Sequence, residues 1–472
     1  MARIRIGVGN EAKPGTPQKP WYEMYLKYRR QRLLSGWRRN VGAPFPKRLY
    51  RRCHGWRLIV QIVLLSLLAR TSSLEAFGQD AVRMSMASAS AAESRQTANG
   101  TAGYYNLQAG PTYWRFGSGL SLGYNSNVEL AEGKQEGDFI YSPSLSVQMK
   151  WPISQLQALN IGVGLGYSGY AQHSSLNTFF VTPNSGVAFD IYAGDFVIEL
   201  HDRFTISQGS YQDPTVTGRG NYSEFQNSAG TLVTWDLNKM VVSLGYDYAS
   251  SLEVSGGLGQ PNQGNEVFSG SAGLVLKPGM TTGIEAGGSL QNYSAATTNN
   301  PYSTAIQWNA GAFFKTQVTE HISMNVDAGY VVNSPESSGA LSTAQQFAGY
   351  YANLGVAHRV NRFVQYSLGV GRNVSDTYFG GATDAYTANL SAGWSFIHKV
   401  SLSTGFNYER GTEVGFVGGE TYYQYGPTIS VGRALTKKMN AGLVYQFVDR
   451  NANEALQKYT LNIVTLSLSY QF

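Results

Sequence analysis

Residues 322–330 read ISMNVDAGY and residues 400–408 read VSLSTGFNY. Ile322, Met324, Val326, Ala328 and Tyr330 alternate with Ser323, Asn325, Asp327 and Gly329, and Val400, Leu402, Thr404, Phe406 and Tyr408 alternate with Ser, Gly and Asn. A period of two makes one face of an extended strand apolar and the other polar. The same texture runs from Tyr104 to the end of the chain. Gly is abundant, Tyr and Phe recur, and no segment sustains an apolar i, i+3, i+4, i+7 stripe, so this part is all-β.

Turn signals set the number of strands. Short polar turns fall at 152–157, 193–195, 236–239, 277–280, 319–321, 360–362, 397–399 and 435–438, and longer stretches rich in Gly, Asn, Ser and Pro lie between them. Short and long connections therefore alternate at a spacing of roughly 40 residues, with two strands per repeat. Adding the first and last strands gives about eighteen, an even number suited to a single transmembrane antiparallel up-and-down β-barrel over 111–472. A propeller of similar period needs four short strands per blade. The segments here run about 10 to 14 residues, too long for that architecture.

Parity alone does not say whether the apolar face meets a protein core or lipid, but aromatic spacing does. Tyr141 and Trp151, Phe225 and Trp235, and Tyr386 and Phe396 are pairs of equal parity at opposite ends of their segments. Ten residues at about 3.3 Å each, tilted by roughly 40°, span about 25 Å, the height of the apolar band between two membrane-interface girdles. The opposite parity carries Arg115, Lys150, Asp190, Glu199, His201, Arg203, Asp247, Glu285, Asp327, Arg359 and Glu409. These are the candidate pore-lining residues. Each has the alternative role of a structural pair bracing the wall, and the many neighbouring glycines are expected to leave space. Asp202 alone falls on the apolar parity of its segment, where a bulge near 201–203 would turn it from lipid and a contact between protomers would give it a partner.

The net charge of +6 and pI near 9.1 belong to the front of the chain. Residues 1–78 hold 16 Lys/Arg and 3 Asp/Glu, which leaves 20 basic and 27 acidic residues for the remainder. A nucleic-acid partner is therefore not expected. Within 47–78, Arg48, Arg51, Arg52 and Arg57 precede an apolar run at 58–69, and Ala76-Phe77-Gly78 offers small residues for cleavage before Gln79. This is the pattern of a secretory signal peptide, and the run is too short for a membrane-spanning helix. Residues 1–46 read as a non-functional extension, with initiation near Val41 or Leu49. Residues 79–110 read as a flexible Ala/Ser-rich lead-in that could enter the lumen. Cys53 is the single cysteine and precedes the apolar run, so neither lipid attachment nor disulfides are expected.

The chain ends VTLSLSYQF, with Leu466, Leu468, Tyr470 and Phe472 at alternate positions. This resembles the C-terminal assembly signal of bacterial outer-membrane barrels, which implies insertion by the barrel-assembly machinery; Thr465 stands where that signal often has Gly. The stretch from Tyr113 onward, with GYNSNVEL at 123–130, FVIELHDRF at 196–204 and WDLNK at 235–239, is similar to the poorly characterised β-barrel porin-2-like proteins. The resemblance implies either passive passage of small hydrophilic solutes or a duct for exopolysaccharide export. The polar, Gly-rich inner parity and the shortness of the connections favour an open pore, and a structural or receptor-type barrel is the remaining class. The acidic balance after the leader points to cation preference. Homo-oligomerisation is compatible with all of these.

Catalytic and metal chemistry are not expected. His173, His201, His321, His358 and His398 stand on separate segments without metal-ligand spacing. The GVGLG run at 162–166 alternates with Ile161, Val163 and Leu165 and is read as a strand, not a phosphate loop. No cofactor is implied. A rim protease or lipase site built from acids, His201 and a serine would need a motif that the sequence does not show.

Overall fold

A computed structural model of the chain describes residues 105–208, 223–255, 262–293, 302–337, 346–376, 382–414, 419–454 and 457–472. The upstream extension, the signal peptide and most of the lead-in lie outside the described residues. In chain order the strands are β1 (Leu107–Ala109), β2 (Thr112–Asn125), β3 (Asp138–Ser154), β4 (Gln157–Tyr170), β5 (Thr178–Val181), β6 (Gly186–Ala193) and β7 (Phe196–Gln208). There follow β8 (Ser223–Asp236), β9 (Met240–Ser255), β10 (Gln263–Lys277), β11 (Met280–Tyr293), β12 (Tyr302–Gln317) and β13 (Ile322–Ser337). The last seven are β14 (Phe347–Arg359), β15 (Val364–Asp376), β16 (Ala382–Ile397), β17 (Val400–Val414), β18 (Thr421–Ala434), β19 (Met439–Ala452) and β20 (Tyr459–Gln471).

Each strand from β2 onward pairs antiparallel with its neighbours, and β20 pairs back onto β2 from Gly117↔Gln471 to Asn125↔Ile463. The sheet is closed. Strands β5 and β6 occupy one position between β4 and β7, so the wall from β2 to β20 has eighteen positions. The eight short turns fall at 155–156, 194–195, 237–239, 278–279, 318–321, 360–363, 398–399 and 435–438, each at its sequence-assigned place. Tightness comes from left-handed residues at Gly194 (φ 63°), Asn238 (φ 73°), Gly279 (φ 76°) and Lys399 (φ 62°). Gly and Asn adopt that conformation readily, whereas Lys399 carries a steric cost.

Exposed Leu120, Leu122, Leu244, Tyr246, Ile306 and Trp308 share one parity. Side chains of the other parity reach one another across intervening strands, as Tyr351 on β14 reaches Glu285 on β11. Only the concave face allows this, so the apolar face points outward and the polar face lines the interior. This is the arrangement of a transmembrane barrel, and eighteen strands enclose an aqueous lumen.

The wall is irregular at β5–β6 and not where the sequence suggested. Pairing jumps from Val181↔Ile206 to Gly186↔Arg203, which sets the four residues 182–185 against two on β7. Pro183, which lacks an N–H, lies in this bulge. Backbone bonds from Thr182 N to Gly164 O (2.9 Å) and from Phe204 N to Ser185 O (3.0 Å) hold it in the wall. Strand β7 itself is in unbroken register through 201–203, so the bulge expected there is absent. Asp202 remains on the outer face, exposed, and accepts a hydrogen bond from Asn227 Nδ2 at 2.6 Å.

Glycines on the inner face are filled over more often than they leave space. Tyr351, Gly329, Gly311 and Glu285 form one register row across β14 to β11. The Tyr351 ring lies flat over the two glycines, and a Cβ on Gly311 would overlap its hydroxyl and come within 2.5 Å of Ala328 O. Phe313 covers Gly283 and Gly273 in the same way, Tyr422 covers Gly411, and Phe180 covers Gly166. Gly369 is different, since the nearest atom to its Cβ position is Asn389 Cβ at 3.8 Å. Gly311→Ala is expected to lower the urea stability of the folded barrel by about 1–3 kcal/mol through overpacking, while Gly369→Ala changes it by less than about 0.5 kcal/mol. Equal effects at the two positions would contradict the packing described.

Candidate functional site

The inner wall is built by simple alternation. Each strand that turns one set of side chains to the outside turns the intervening set into the lumen, and all eleven charged residues singled out in the sequence lie on this inner parity. Many of them are tied to the wall. His201 Nε2 lies 2.5 Å from Asp247 Oδ1, and His201 Nδ1 and Arg203 Nη2 lie 3.6 and 3.7 Å from Glu199 Oε1. Ser228 Oγ donates to Asp247 at 3.5 Å, so strands β7, β8 and β9 are bridged by one buried polar cluster. Tyr351 donates to Glu285 Oε1 at 2.9 Å, Asn353 Nδ2 to Asp327 Oδ2 at 2.7 Å, and Tyr422 to Glu409 Oε1 at 2.8 Å. Asn160 Nδ2 approaches Asp190 Oδ2 at 3.5 Å. A hydrogen bond to a carboxylate contributes about 1.5–3 kcal/mol, which makes these contacts structural braces whatever else they face.

Arg115, Lys150 and Arg359 are not so engaged, having no carboxylate partner among the described residues. They lie near the short-turn ends of β2, β3 and β14, on opposed sides of the barrel. Arg359 opens onto a recess of about 480 Å³ at the short-turn end of β12 to β17, lined by Gln317, Glu320, His321, Ser323, Gln365, Ser367, Ser391 and Ser403. The hydroxyls are paired across strands, Ser367 with Ser391 at 2.7 Å and Ser403 with Ser430 at 2.5 Å. The sequence reading passed over this hydroxyl row, although the alternation in VSLSTG at 400–405 carries its signal. It also passed over Lys315, whose ammonium lies 5.7 Å from the Phe313 ring centre, and the buried Arg450–Glu420 pair at 2.7 Å.

One connection at the long-connection end turns onto the inner wall. Connection 126–137 folds inward, so that Leu130 is buried against Val448, Tyr459 and Leu461 on the inner face of β19 and β20. Asn127 holds the turn, its Oδ1 accepting from Ala131 N and its Nδ2 donating to Ala131 O, both at 2.9 Å, and to Thr460 O at 3.2 Å. The twelve residues of this connection thus pack their apolar side chains onto the inner wall. On the opposite side, Gln307 Nε2 of β12 reaches Val374 O of β15 at 3.5 Å, which brings the end of β15 over the inner face.

The aromatics assigned to the membrane interface include Tyr141, Trp151, Trp235 and Tyr386, all exposed on the outer face, and Phe225, which is half-buried. The side chain of Phe396 lies outside the described residues. Leu466, Leu468, Tyr470 and Phe472 are exposed on the outer side of the closing strand. Among the described residues no group of His, Cys, Asp or Glu side chains is arranged to hold a metal ion.

No family model and no curated protein matches the chain. Among solved structures it is similar to the outer membrane protein OpdK of Pseudomonas aeruginosa, at 11% identity over 76% of this chain and 98% of that one, with a TM-score of 0.43. It is also similar to OccAB3 of Acinetobacter baumannii, at 9% identity over 76% and 99% of the two chains with a TM-score of 0.44. OccK2 (OpdF) of Pseudomonas aeruginosa, crystallised with glucuronate, gives 8% identity over 76% and 98% with a TM-score of 0.45. At these values the likeness assigns no residue role.

Connection 126–137 is pinned by His173, on the connection after β4, through Asp138 on the inner parity of β3. Its Nδ1 lies 3.0 Å from Asp138 Oδ2 and its Nε2 3.2 Å from Glu136 Oε2, and Glu136 also pairs with Lys134. The hydrogen bond to Asp138, followed by that to Glu136, raises the imidazole pKa above its ordinary 6.5. A folded-state pKa above the unfolded value means that the stabilisation is fully present below about pH 6.5 and is lost as pH rises through the raised pKa. A spin label at the exposed Gln135 is therefore expected to become more mobile as pH rises past neutrality, and His173→Gln to abolish that dependence. A pH-independent label signal in the parent protein would contradict the pin.

Proposed function

We propose that this barrel is an outer-membrane channel through which small hydrophilic solutes pass passively. The observation that carries the reading is the closed eighteen-position wall whose interior is polar and, toward the short-turn mouth, lined by serine, glutamine and glycine around Arg359, which has no carboxylate partner among the described residues. A surface of small hydroxyl and amide groups exchanges hydrogen bonds with water and with a hydrated solute at little net cost, so it admits solutes without trapping them. The inward-folded connection at Leu130 supplies a narrowing at the other mouth. The solute is a small molecule on this reading: Tyr293, Tyr351, Tyr422 and Tyr459 on the inner face are buried, and the exposed inner ring of Tyr192 stands at the short-turn end of β6. The outward apolar residues of β20 fit recognition by the barrel-assembly machinery, and the leader fits export by signal-peptide cleavage.

Planar-bilayer recording of the purified barrel, prepared without its leader, is the test. Stepwise conductance is expected, with a cation preference that follows from 27 acidic against 20 basic residues beyond position 78. Arg359→Gln is expected to increase that preference, seen as a shift in reversal potential under a salt gradient. Absence of conductance steps from correctly folded protein would overturn the channel reading.

A further inference from the structure

Among the described residues two arginines lie on the outer face toward the long-connection end, where hydrocarbon would penalise them, and their place in the wall explains why they are tolerated. By register Arg372 faces Tyr386, Tyr386 faces Arg410, and Arg410 faces Tyr423. Two guanidiniums and two phenol rings thus alternate in a single row across β15 to β18. Arg410 is ten residues beyond Val400, the first residue of β17. At about 3.3 Å per residue and a tilt of roughly 40°, that places it about 25 Å from the short-turn edge. This is the depth of a bilayer's apolar band, so the row stands where hydrocarbon gives way to headgroups on the long-connection side.

Arg372 is fixed. Its Nε and Nη2 donate to the two oxygens of Asp384 at 2.9 and 2.8 Å, and its guanidinium stacks on Tyr350 at 4.0 Å. It stands at a fork, because pairing between β14 and β15 ends at Ala352↔Arg372 while β14 continues along β13 to Phe347 and β15 along β16 to Asp376. Arg410 is exposed and has no carboxylate partner among the described residues. Tyr423 accepts a hydrogen bond from Asn451 Nδ2 at 2.8 Å, which leaves its own O–H to donate outward. Asp384 is committed to Arg372, and Asp449, on the outer face of β19 one rung toward the midplane, is hydrogen-bonded by Tyr425, so Arg410 is the guanidinium of the row left to the membrane surface.

We propose that this row, centred on Arg410 with Arg372 and Tyr423 on either side, binds the phosphate group of an anionic lipid in the leaflet at the long-connection end. Guanidinium and phosphate form charge-assisted, often bidentate hydrogen bonds, and rings at the headgroup level hold the donors in place. A zwitterionic headgroup brings its own cation and fits less well. The inference rests on the barrel's being embedded in a bilayer, but not on its conducting solutes.

The test is native mass spectrometry of the whole folded barrel in non-ionic detergent, titrated with a bis-phosphorylated lipid A. Dephosphorylated lipid A and inorganic phosphate are the comparison arms. Lipid A is expected to bind at least about tenfold more tightly than its dephosphorylated form, a factor within reach of one or two charge-assisted contacts, and millimolar phosphate should not displace it. Arg410→Gln is expected to remove most of that difference, Arg410→Lys to restore part of it, and Tyr423→Phe to weaken binding by two- to threefold while keeping the ring. Heat-modifiable gel mobility confirms that each variant is folded, and conductance read separately keeps this outcome apart from the channel reading. Unchanged lipid binding by folded Arg410→Gln, equal binding of the dephosphorylated lipid, displacement by free phosphate, or self-association in place of lipid adducts would each overturn the proposal.

Discussion

A membrane wall one strand thick has no second layer on which to satisfy its backbone, so every N–H and C=O in hydrocarbon must find a partner along the sheet itself. The ladder between β2 and β20 meets that requirement by removing both edges at once. The inside-outside division of side chains follows from it. Once the ring is closed, alternate residues have no choice of face, and a slip of one residue in any pair would send Glu285 or Asp327 into lipid. The short turns matter for the same reason, since each fixes the register of a hairpin before the ring closes.

The interior of such a ring still has to be braced, and here rings laid over glycines do much of that. Tyr351 spans Gly329 and Gly311 to reach Glu285, and Tyr422 spans Gly411 to reach Glu409. The glycine permits the close approach and the carboxylate holds the hydroxyl. The cost is that several inner carboxylates are committed to the wall. Among the described residues the inner basic groups with no carboxylate partner, Arg115, Lys150, Lys315 and Arg359, lie near the short-turn mouth, with the serine row beside the last. Braced carboxylates such as Asp190, Glu199, Glu285 and Asp327 also lie toward the short-turn ends of their strands, so braces and open hydroxyl surface share that part of the lumen.

Features set by local chemistry were legible in the sequence. A short turn such as AGD at 193–195 or KPGM at 277–280 announces itself through Gly, Pro and charge, and the strand number follows from counting such turns. Facing was legible because it depends only on parity. What depended on contacts far along the chain was not. Leu130 turns inward because it meets Val448 and Leu461, more than 300 residues later, and nothing near 126–137 signals that. The bulge was expected on β7 from the odd parity of Asp202. It lies instead on the adjacent segment around Pro183, while Asp202 is accommodated by Asn227 on the neighbouring strand. The hydroxyl row escaped notice because each serine is unremarkable in its own strand and becomes a feature only when β13 to β18 are laid side by side.

The central claim is that one closed sheet divides every strand between lumen and lipid, and β17 exposes it most directly. Position 53 holds the single cysteine of the sequence, so single cysteines can be introduced against a blank Cys53→Ser background. With the folded barrel in liposomes, cysteines at Ser401, Ser403 and Gly405 are predicted to react with a membrane-impermeant maleimide. Those at Leu402, Thr404 and Phe406 are predicted to be protected from it and instead to be labelled by a lipid-soluble probe. Reactivity that fails to alternate, or that alternates with the opposite parity, would contradict the account.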